Sequence, residues 1–210
     1  MLELSRPVRL LAASIALIAG FVDAIGFVGY GGTFVSFMSG NSTRIGAQAA
    51  SVELQVIGLT AAIVAAFVGG VAIGQALGGT RDHRRRVRVL SLVALSLAAA
   101  ALVAQPAGPF FALLAAAFGM GAINTVFASS PLPVGLTYMT GTLVKLGQSL
   151  GQRLRGETPP HELPYLVHWF ALVLGAALGA SAYARWGFSA LWYATGAVGL
   201  LAMRLTMATR

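Results

Sequence analysis

The sequence predicts an all-α, polytopic integral membrane protein with about six transmembrane helices and two further helices that are broken or re-entrant. Three observations support this prediction. Hydrophobic residues make up 57% of the 210 residues and charged residues only 10%, whereas a soluble domain carries roughly 25% charged residues. Apolar runs long enough to cross a bilayer recur along the chain, and the second half repeats the pattern of the first. We therefore expect a single membrane domain over residues 1–210.

Each half of the chain contains four apolar segments. In the first half, about residues 1–104, they run roughly over 8–29, 33–50, 54–78 and 88–104. In the second half, about residues 105–210, they run roughly over 110–128, 133–150, 164–184 and 188–207. Because Arg6 and Arg9 precede an apolar run that starts at Leu10, the first segment could be taken for a signal peptide. Its counterpart in the middle of the chain assigns it instead to the fold.

The two halves align without a gap when the chain is displaced by 101 residues. This places Gly20 on Gly121, Asp23 on Asn124 and Arg44 on Lys145. It also places Met38-Ser39-Gly40-Asn41 on Met139-Thr140-Gly141-Thr142, Gly74 on Gly175, and Gly78 on Gly179. The match of a basic residue inside an apolar stretch is improbable by composition alone. The sequence therefore predicts an internal duplication.

The second apolar segment of each half is short and carries polar and glycine residues in its middle. Ser39-Gly40-Asn41-Ser42-Thr43 interrupts the first and Thr140-Gly141-Thr142 the second. Polar backbone at membrane depth is tolerated only where protein or a water-filled cavity surrounds it. We expect both segments to be re-entrant, with an unwound crossing helix as the alternative.

The positive-inside rule favours the six-crossing arrangement. If all eight segments crossed, with the N-terminus inside, the arginines between residues 81 and 88 would lie outside. If the interrupted segments are re-entrant, this cluster lies in the cytoplasm. The same side then also holds the arginines at positions 6, 9, 153, 155, 204 and 210. Both termini are then cytoplasmic. Three crossings in each half would make the two repeats inverted, an arrangement common in secondary transporters.

The motifs resemble a known family. Ala19-Gly20-Phe21-Val22-Asp23-Ala24 leads through Gly32-Thr33-Phe34-Val35 to Met38-Ser39-Gly40-Asn41, and Met139-Thr140-Gly141-Thr142 completes the pattern. The chain is similar in this respect to the bacterial YoaK family, domain of unknown function 1275. Ser39 stands where threonine is commoner in that family. The resemblance implies a multi-pass protein of a bacterial inner membrane with about six spans, and it supplies no substrate.

Asp23 is the strongest single candidate for a functional residue. An unpaired carboxylate in a bilayer costs several kcal/mol, roughly 2.5–3.5 on insertion scales. Asp23 is therefore either a proton- or cation-linked site or a structural carboxylate that accepts hydrogen bonds from the broken helix. Asn124, its counterpart, cannot ionise, and interhelical hydrogen bonding is preferred for it.

The two breaks are the next candidates. A helix that restarts after Gly40 or Gly141 presents free N–H groups and a positive dipole end, which bind anionic groups. Arg44 and Lys145 lie about one turn later, where each either faces the same site or extends to the lipid headgroups. Close packing of small residues is the alternative for the breaks. The candidate substrate-binding residues are Asp23, Ser39, Gly40, Asn41, Arg44, Asn124, Thr140, Gly141, Thr142 and Lys145.

Other functional classes find little support. The chain has no cysteine, and its three histidines are scattered, so we expect no metal site, no cofactor and no catalytic residues. The net charge of +8 lies in short loops and indicates orientation rather than nucleic-acid binding. The expected partners are membrane lipid and a small solute. The glycine stripe at Gly70, Gly74 and Gly78 is interpreted as packing within the monomer in preference to a homo-oligomer interface.

The sequence thus predicts a secondary transporter or channel for a small solute, with a midplane site at the two breaks, and Arg44 and Lys145 favour an anion. The alternative is a non-transporting membrane protein, an assembly partner or sensor, that uses its arginine-rich cytoplasmic loop. A large cavity that reaches Asp23 would favour transport. A tightly packed interior with an exposed basic face would favour the alternative.

Overall fold

The computed structural model describes residues 6–77, 82–128, 139–158 and 162–207, and these residues are helical with short connections. The helices are α1 (Arg6–Gly29), α2 (Met38–Ala50), α3 (Leu54–Leu77), α4 (Asp82–Val103), α5 (Pro109–Ile123), α6 (Met139–Leu154), α7 (Leu163–Trp186) and α8 (Leu191–Met207), with a 3₁₀ turn at Gly187–Ala190 between the last two. The described part of the chain therefore confirms the all-α class.

Within the described residues, four stretches of helix are long and apolar enough to cross a membrane. They are Arg6–Gly29, Leu54–Leu77, His83–Val103 and the continuous Leu163–Met207, which contains both α7 and α8. A helix of 24 residues such as α1 is about 36 Å long, more than the roughly 30 Å of a hydrocarbon core. Helix α5 is apolar but shorter, at 15 residues. Leu95 and Leu102 of α4 are 69% and 63% exposed, as a surface in contact with lipid requires.

Helices α2 and α6 differ from the rest in length and polarity. They contain 13 and 16 residues and carry more polar side chains than the long apolar helices. The chain reaches α2 through a reversal after α1. Gly31 and Gly32 have φ of +52° and +76°, which side chains other than glycine disfavour, and the Gly32 N–H donates to the Phe27 carbonyl. This is the hydrogen bond of a glycine helix cap, and it turns the following residues back along α1.

The closest helix pairs are α1 with α7 and α3 with α5. Glycine makes both pairings possible, because a Cβ on Gly20 would overlap the carbonyl oxygen of Leu172 and a Cβ on Gly121 would overlap that of Phe67. Helices α1 and α7 run parallel, since residues 6–13 lie beside 163–168 and Gly29 lies beside Tyr183. Helices α3 and α5 run parallel for the same reason, with Gly70 beside Phe118 and Gly74 beside Thr125.

Helices α4 and α8 pack against each other between these two pairs. They are antiparallel, because a ring nitrogen of His83 at the start of α4 lies 2.5 Å from the carbonyl oxygen of Leu205 at the end of α8. Helix α4 also packs against α5, and α8 against α1. The fully buried side chains Ile15, Leu97, Leu113, Met120 and Val198 come from these four central helices. The core therefore lies where the two halves of the chain meet.

These contacts fix the direction of each long helix. We call the end where α1, α4 and α7 begin the basal end, and the opposite end the apical end. Helices α3, α5 and α8 run from the apical to the basal end, as the contacts of Arg85 in α4 with Gln75 in α3 and Thr125 after α5 require. Helix α2 therefore connects two apical ends and α6 two basal ends. Each enters and leaves the bundle on one side.

Candidate functional site

The Asp23 side chain holds the segment that precedes α2. Its Oδ1 accepts the N–H groups of Val35 and Ser36, both at 2.7 Å, and its Oδ2 accepts the Ser36 hydroxyl. Charge-assisted hydrogen bonds of this kind are roughly twice as strong as neutral ones. Of the two interpretations of Asp23, these contacts match the structural carboxylate. They also bring residues 35–36 down to the depth of Asp23, well inside the apical end of α1.

Asn41 fixes the same segment from the other side. It is fully buried, its Nδ2 donates to the Phe34 carbonyl at 2.7 Å, and its Oδ1 accepts the Phe34 N–H at 3.1 Å. A buried peptide group that lacked both partners would cost free energy. Gly40 lies against the rings of Phe37 and Phe34, so its role is close packing. Ser39 is exposed.

Arg44 contacts the start of the segment. Its guanidinium donates to the Gly31 carbonyl at 2.6 Å and to the Thr33 hydroxyl at 2.8 Å. Asp23, Asn41 and Arg44 are therefore brought together, and each of them hydrogen-bonds to the segment 31–36. The serine and threonine partners Ser36 and Thr33 are buried and were absent from the predicted set. Their signal in the sequence is weak, because small polar residues beside glycine are common in loops.

The residues of the second break are more exposed. Thr140, Gly141 and Lys145 are exposed, and Thr142 is half-buried. The Lys145 ammonium lies 5.8 Å from the centre of the Tyr165 ring near the start of α7, which is at the basal end. Lys145 and Arg44 therefore lie at opposite ends of the molecule. Positions 129–138, which lead into α6, lie outside the described residues.

Asn124 ends α5, and its Nδ2 donates to the Met120 carbonyl at 2.8 Å. The next residue, Thr125, accepts a hydrogen bond from Arg85 at the start of α4. Asn124 thus lies towards the basal end, whereas Asp23 lies towards the apical end. The arrangement does not place the two in one site.

A cavity of about 460 Å³ lies beside Asp23 between α1 and α7. Phe37, which immediately precedes α2, and Met139, the first residue of α6, both line it. The starts of the two short helices therefore approach one cavity, although they enter from opposite ends. The other described residues that line it are Gly20, Ala24, Phe27, Val28, Phe34, Leu172, Ala176 and Ala180. This described part of the lining is apolar and aromatic, with one carboxylate, and neither Arg44 nor Lys145 belongs to it.

The arginine-rich segment at the start of α4 is largely part of the fold. Arg85 is buried, and its Nε donates to the Thr125 carbonyl at 3.0 Å. The Arg86 guanidinium lies 5.0 Å from the centre of the Phe127 ring, and Arg88 donates to the Leu77 carbonyl at 3.3 Å. Cations at the C-terminal ends of α3 and α5 also match the helix dipoles. Arg84 is exposed, and Arg81 lies outside the described residues.

Metal-ligating side chains do not cluster in the described part of the chain, where no three His, Asp or Glu residues stand close enough to hold an ion.

Comparison with known proteins identifies the family. A family model described as "Protein of unknown function (DUF1275)" matches residues 11–204. A UPF0700 transmembrane protein of Rhizobium meliloti (strain 1021) is 38% identical over 183 residues, which cover 87% of this chain and 79% of the relative. No solved structure matches the chain. The match over nearly the whole chain confirms the resemblance carried by the glycine, Asp23 and Met-Ser-Gly-Asn motifs: the chain belongs to the DUF1275 family of membrane proteins, which includes YoaK.

Proposed function

We propose that this protein is a secondary transporter or channel for a small solute, and that the cavity beside Asp23 is its binding site. One observation carries the proposal: the starts of α2 and α6 line the same cavity of about 460 Å³ as a carboxylate within the apolar bundle. Cavities of roughly 300–1,000 Å³ are typical of sites for small molecules. Short helices that begin inside a membrane protein are frequent at transporter sites.

The proposed membrane arrangement is six crossings, by α1, α3, α4, α5, α7 and α8. The alternating directions of these helices support it, as does the course of α2 and α6, each of which returns the chain to the end of the bundle where it began. Most described basic residues lie at the basal end, including those of α4, Arg153 and Arg204. The positive-inside rule then places the basal end, with both termini, in the cytoplasm of a bacterial inner membrane.

We also propose that α1–α4 and α5–α8 are inverted repeats. The contacts support this, because α1 pairs with α7 as α5 pairs with α3. Gly175 lies against Leu17 and Gly179 against Phe21, while Gly70 lies against Phe118 and Gly74 against Ala122. These contacts match Gly175 with Gly70 and Gly179 with Gly74, one helical turn from the gapless alignment. Four residues inserted between α6 and α7 account for the difference.

The lining of the cavity bears on the solute. The expectation that the solute is an anion depended on Arg44 and Lys145, and both of these residues lie away from the cavity. Asp23 with the rings of Phe27, Phe34 and Phe37 suits a small neutral solute or an organic cation, because an aromatic face attracts positive charge. The proposed solute is therefore neutral or cationic. The alternative of a basic docking loop is weakened, since Arg85, Arg86 and Arg88 contact the fold itself.

The absence of cysteine from the chain allows a direct test of access to the cavity. Single cysteines at Ala24 and Ala176 place a thiol in the cavity, Ala116→Cys places one in the buried core, and Leu174→Cys places one on the exposed apolar surface. In membrane vesicles, the two cavity thiols should react with a cationic, membrane-impermeant methanethiosulfonate faster than with an anionic one. Both controls should stay unmodified. Cavity thiols as inert as the core control would contradict the proposal.

A second test concerns occupancy. Tetramethylammonium and a panel of small neutral solutes and anions are added to the purified protein, and the melting temperature is measured. A solute that binds the folded state raises the melting temperature with its concentration. Ala176→Phe, which fills the cavity, should abolish that response, and the matched Ala177→Phe on the exposed side of α7 should keep it. A response that survives Ala176→Phe would place the binding site elsewhere.

A further inference from the structure

A groove of about 550 Å³ lies between the starts of α1 and α7 at the basal end. It is separate from the cavity beside Asp23, because the two share none of the lining residues that the structure describes. From α1 it is lined by Arg6, Arg9, Leu10 and Ala13, and from α7 by Leu163, Pro164, Val167 and His168. The lining therefore combines two cations with an apolar wall.

The lining residues change from charged to apolar with increasing depth in the bundle. Arg6 and Arg9 are the outermost lining residues of α1, and Leu10 and Ala13 continue the same face inward at helical spacing. On the facing helix, Leu163 and Val167 are 68% and 48% exposed. Charge at the rim and an apolar wall farther in match an amphiphile that enters with its headgroup at the membrane surface.

The two arginines carry uncompensated charge. Glu162, the acidic residue at the start of α7, already pairs with Arg153 at 2.8 Å. Among the residues that the structure describes, no other carboxylate pairs with Arg6 or Arg9. Guanidinium groups bind phosphate oxygens well, often through two hydrogen bonds. An anionic group at the rim of the groove would thus be stabilised by both.

We propose that this groove binds one anionic phospholipid of the membrane leaflet at the basal end. The headgroup phosphate contacts Arg6 and Arg9, and the beginning of one acyl chain lies along Leu10, Ala13, Leu163 and Val167. Basic pockets between transmembrane helices on the cytoplasmic side are a recurrent form of lipid recognition. Because the groove joins α1 to α7, the closest pair of helices between the two halves, the lipid would bridge the halves of the molecule.

The test is native mass spectrometry of the protein released from detergent with phosphatidylglycerol or phosphatidylcholine. Wild type should retain one phosphatidylglycerol in preference to phosphatidylcholine. Combining Arg6→Gln with Arg9→Gln should weaken phosphatidylglycerol binding about 30-fold, as expected for two arginines near a membrane surface. A matched control combines Arg84→Gln with Arg155→Gln, which removes the same charge from exposed positions outside the groove and should leave binding within about two-fold of wild type.

Two further measurements distinguish binding of the lipid from binding of free phosphate. Leu10→Gln keeps both arginines and makes the wall polar, so it should weaken phosphatidylglycerol without creating affinity for inorganic phosphate. Inorganic phosphate at millimolar concentration should leave the bound lipid in place. Equal retention of both lipids, an unchanged affinity in the Arg6 and Arg9 variant, or full displacement by phosphate would each overturn the proposal. These readouts depend on lipid binding alone and are unaffected by whether the Asp23 cavity transports a solute.

Discussion

Helices α2 and α6 occupy equivalent places in the two halves of the chain, yet their described motif residues differ in exposure. Helix α2 is tied to its preceding segment by Asn41 and Arg44, and that segment is tied to α1 by Asp23. In α6 the matching motif positions Gly141 and Lys145 are exposed, and a Cβ on Gly141 would meet open space. A shared motif therefore does not give the two positions a shared role.

The difference suggests a division of labour within the proposed transporter. On the α2 side of the cavity, Asn41 and Arg44 hydrogen-bond to the segment that precedes the helix. Among the described elements, α6 packs against α7. If one wall of the cavity moves during transport, we expect it to be α6, since its residues Gly141 and Lys145 are exposed whereas Asn41 is buried.

Substitution of the glycines where two helices pack most closely should have the largest effect on stability, and it tests a feature that the two halves share. Gly20→Ala and Gly121→Ala each force a methyl group onto a backbone carbonyl of the neighbouring helix. Overpacking against backbone should lower the free energy of unfolding by about 3 kcal/mol in both variants. Unfolding in mixed detergent micelles measures it. Gly196→Ala in α8, where a Cβ meets nothing, is the control. A large effect in only one of the pair would break the equivalence of the two crossings.

Substitution of the buried amide should have the next largest effect and tests where the halves differ. Asn41→Ala leaves the Phe34 N–H and carbonyl without their side-chain partner in a buried site, which should cost about 2 kcal/mol. Thr140→Ala, at an exposed position of the α6 motif, should cost less than about 1 kcal/mol. The same micelle unfolding assay compares them. Equal losses would mean that the exposed threonine stabilises the fold as much as the buried amide.

Substitution of the motif glycines should have the smallest effect on stability, and the sign of that effect should differ between the two halves. Gly40→Ala presses a methyl group against the Phe37 and Phe34 rings and should destabilise the protein by about 1 kcal/mol. Gly141→Ala meets no neighbour and should stabilise it by about 0.5–1 kcal/mol, because alanine favours a helix over glycine. Melting temperatures of the purified variants measure both. Two shifts of the same sign would contradict the contrast between α2 and α6.

Much of this architecture was predictable from the sequence, because hydrophobicity alone dictates helices in a bilayer. The polar motifs at Gly40 and Gly141 predicted the two short helices, but the predicted restart after each glycine was wrong. Helix α2 begins at Met38 and α6 at Met139, so each glycine lies in the first turn of its helix. The partners of Asp23 were not predictable, since a carboxylate can accept hydrogen bonds from any nearby backbone and the reversal at Gly31 decides which one approaches. The burial of Arg85 was also missed. A charge run predicts a solvated loop, whereas here the carbonyl ends of α3 and α5 bind the cations.

Parallel pairing of α1 with α7 also matters during synthesis of the chain. The glycine face of α1 enters the membrane early, but the helix that covers it is made only after more than half of the chain has followed. At a translation rate of roughly 5–20 residues per second, α1 is synthesised on the order of 10 s before α7. Until then Gly20 is covered by lipid or by another membrane protein. Neither half can complete its packing alone, so final assembly must await translation of α7.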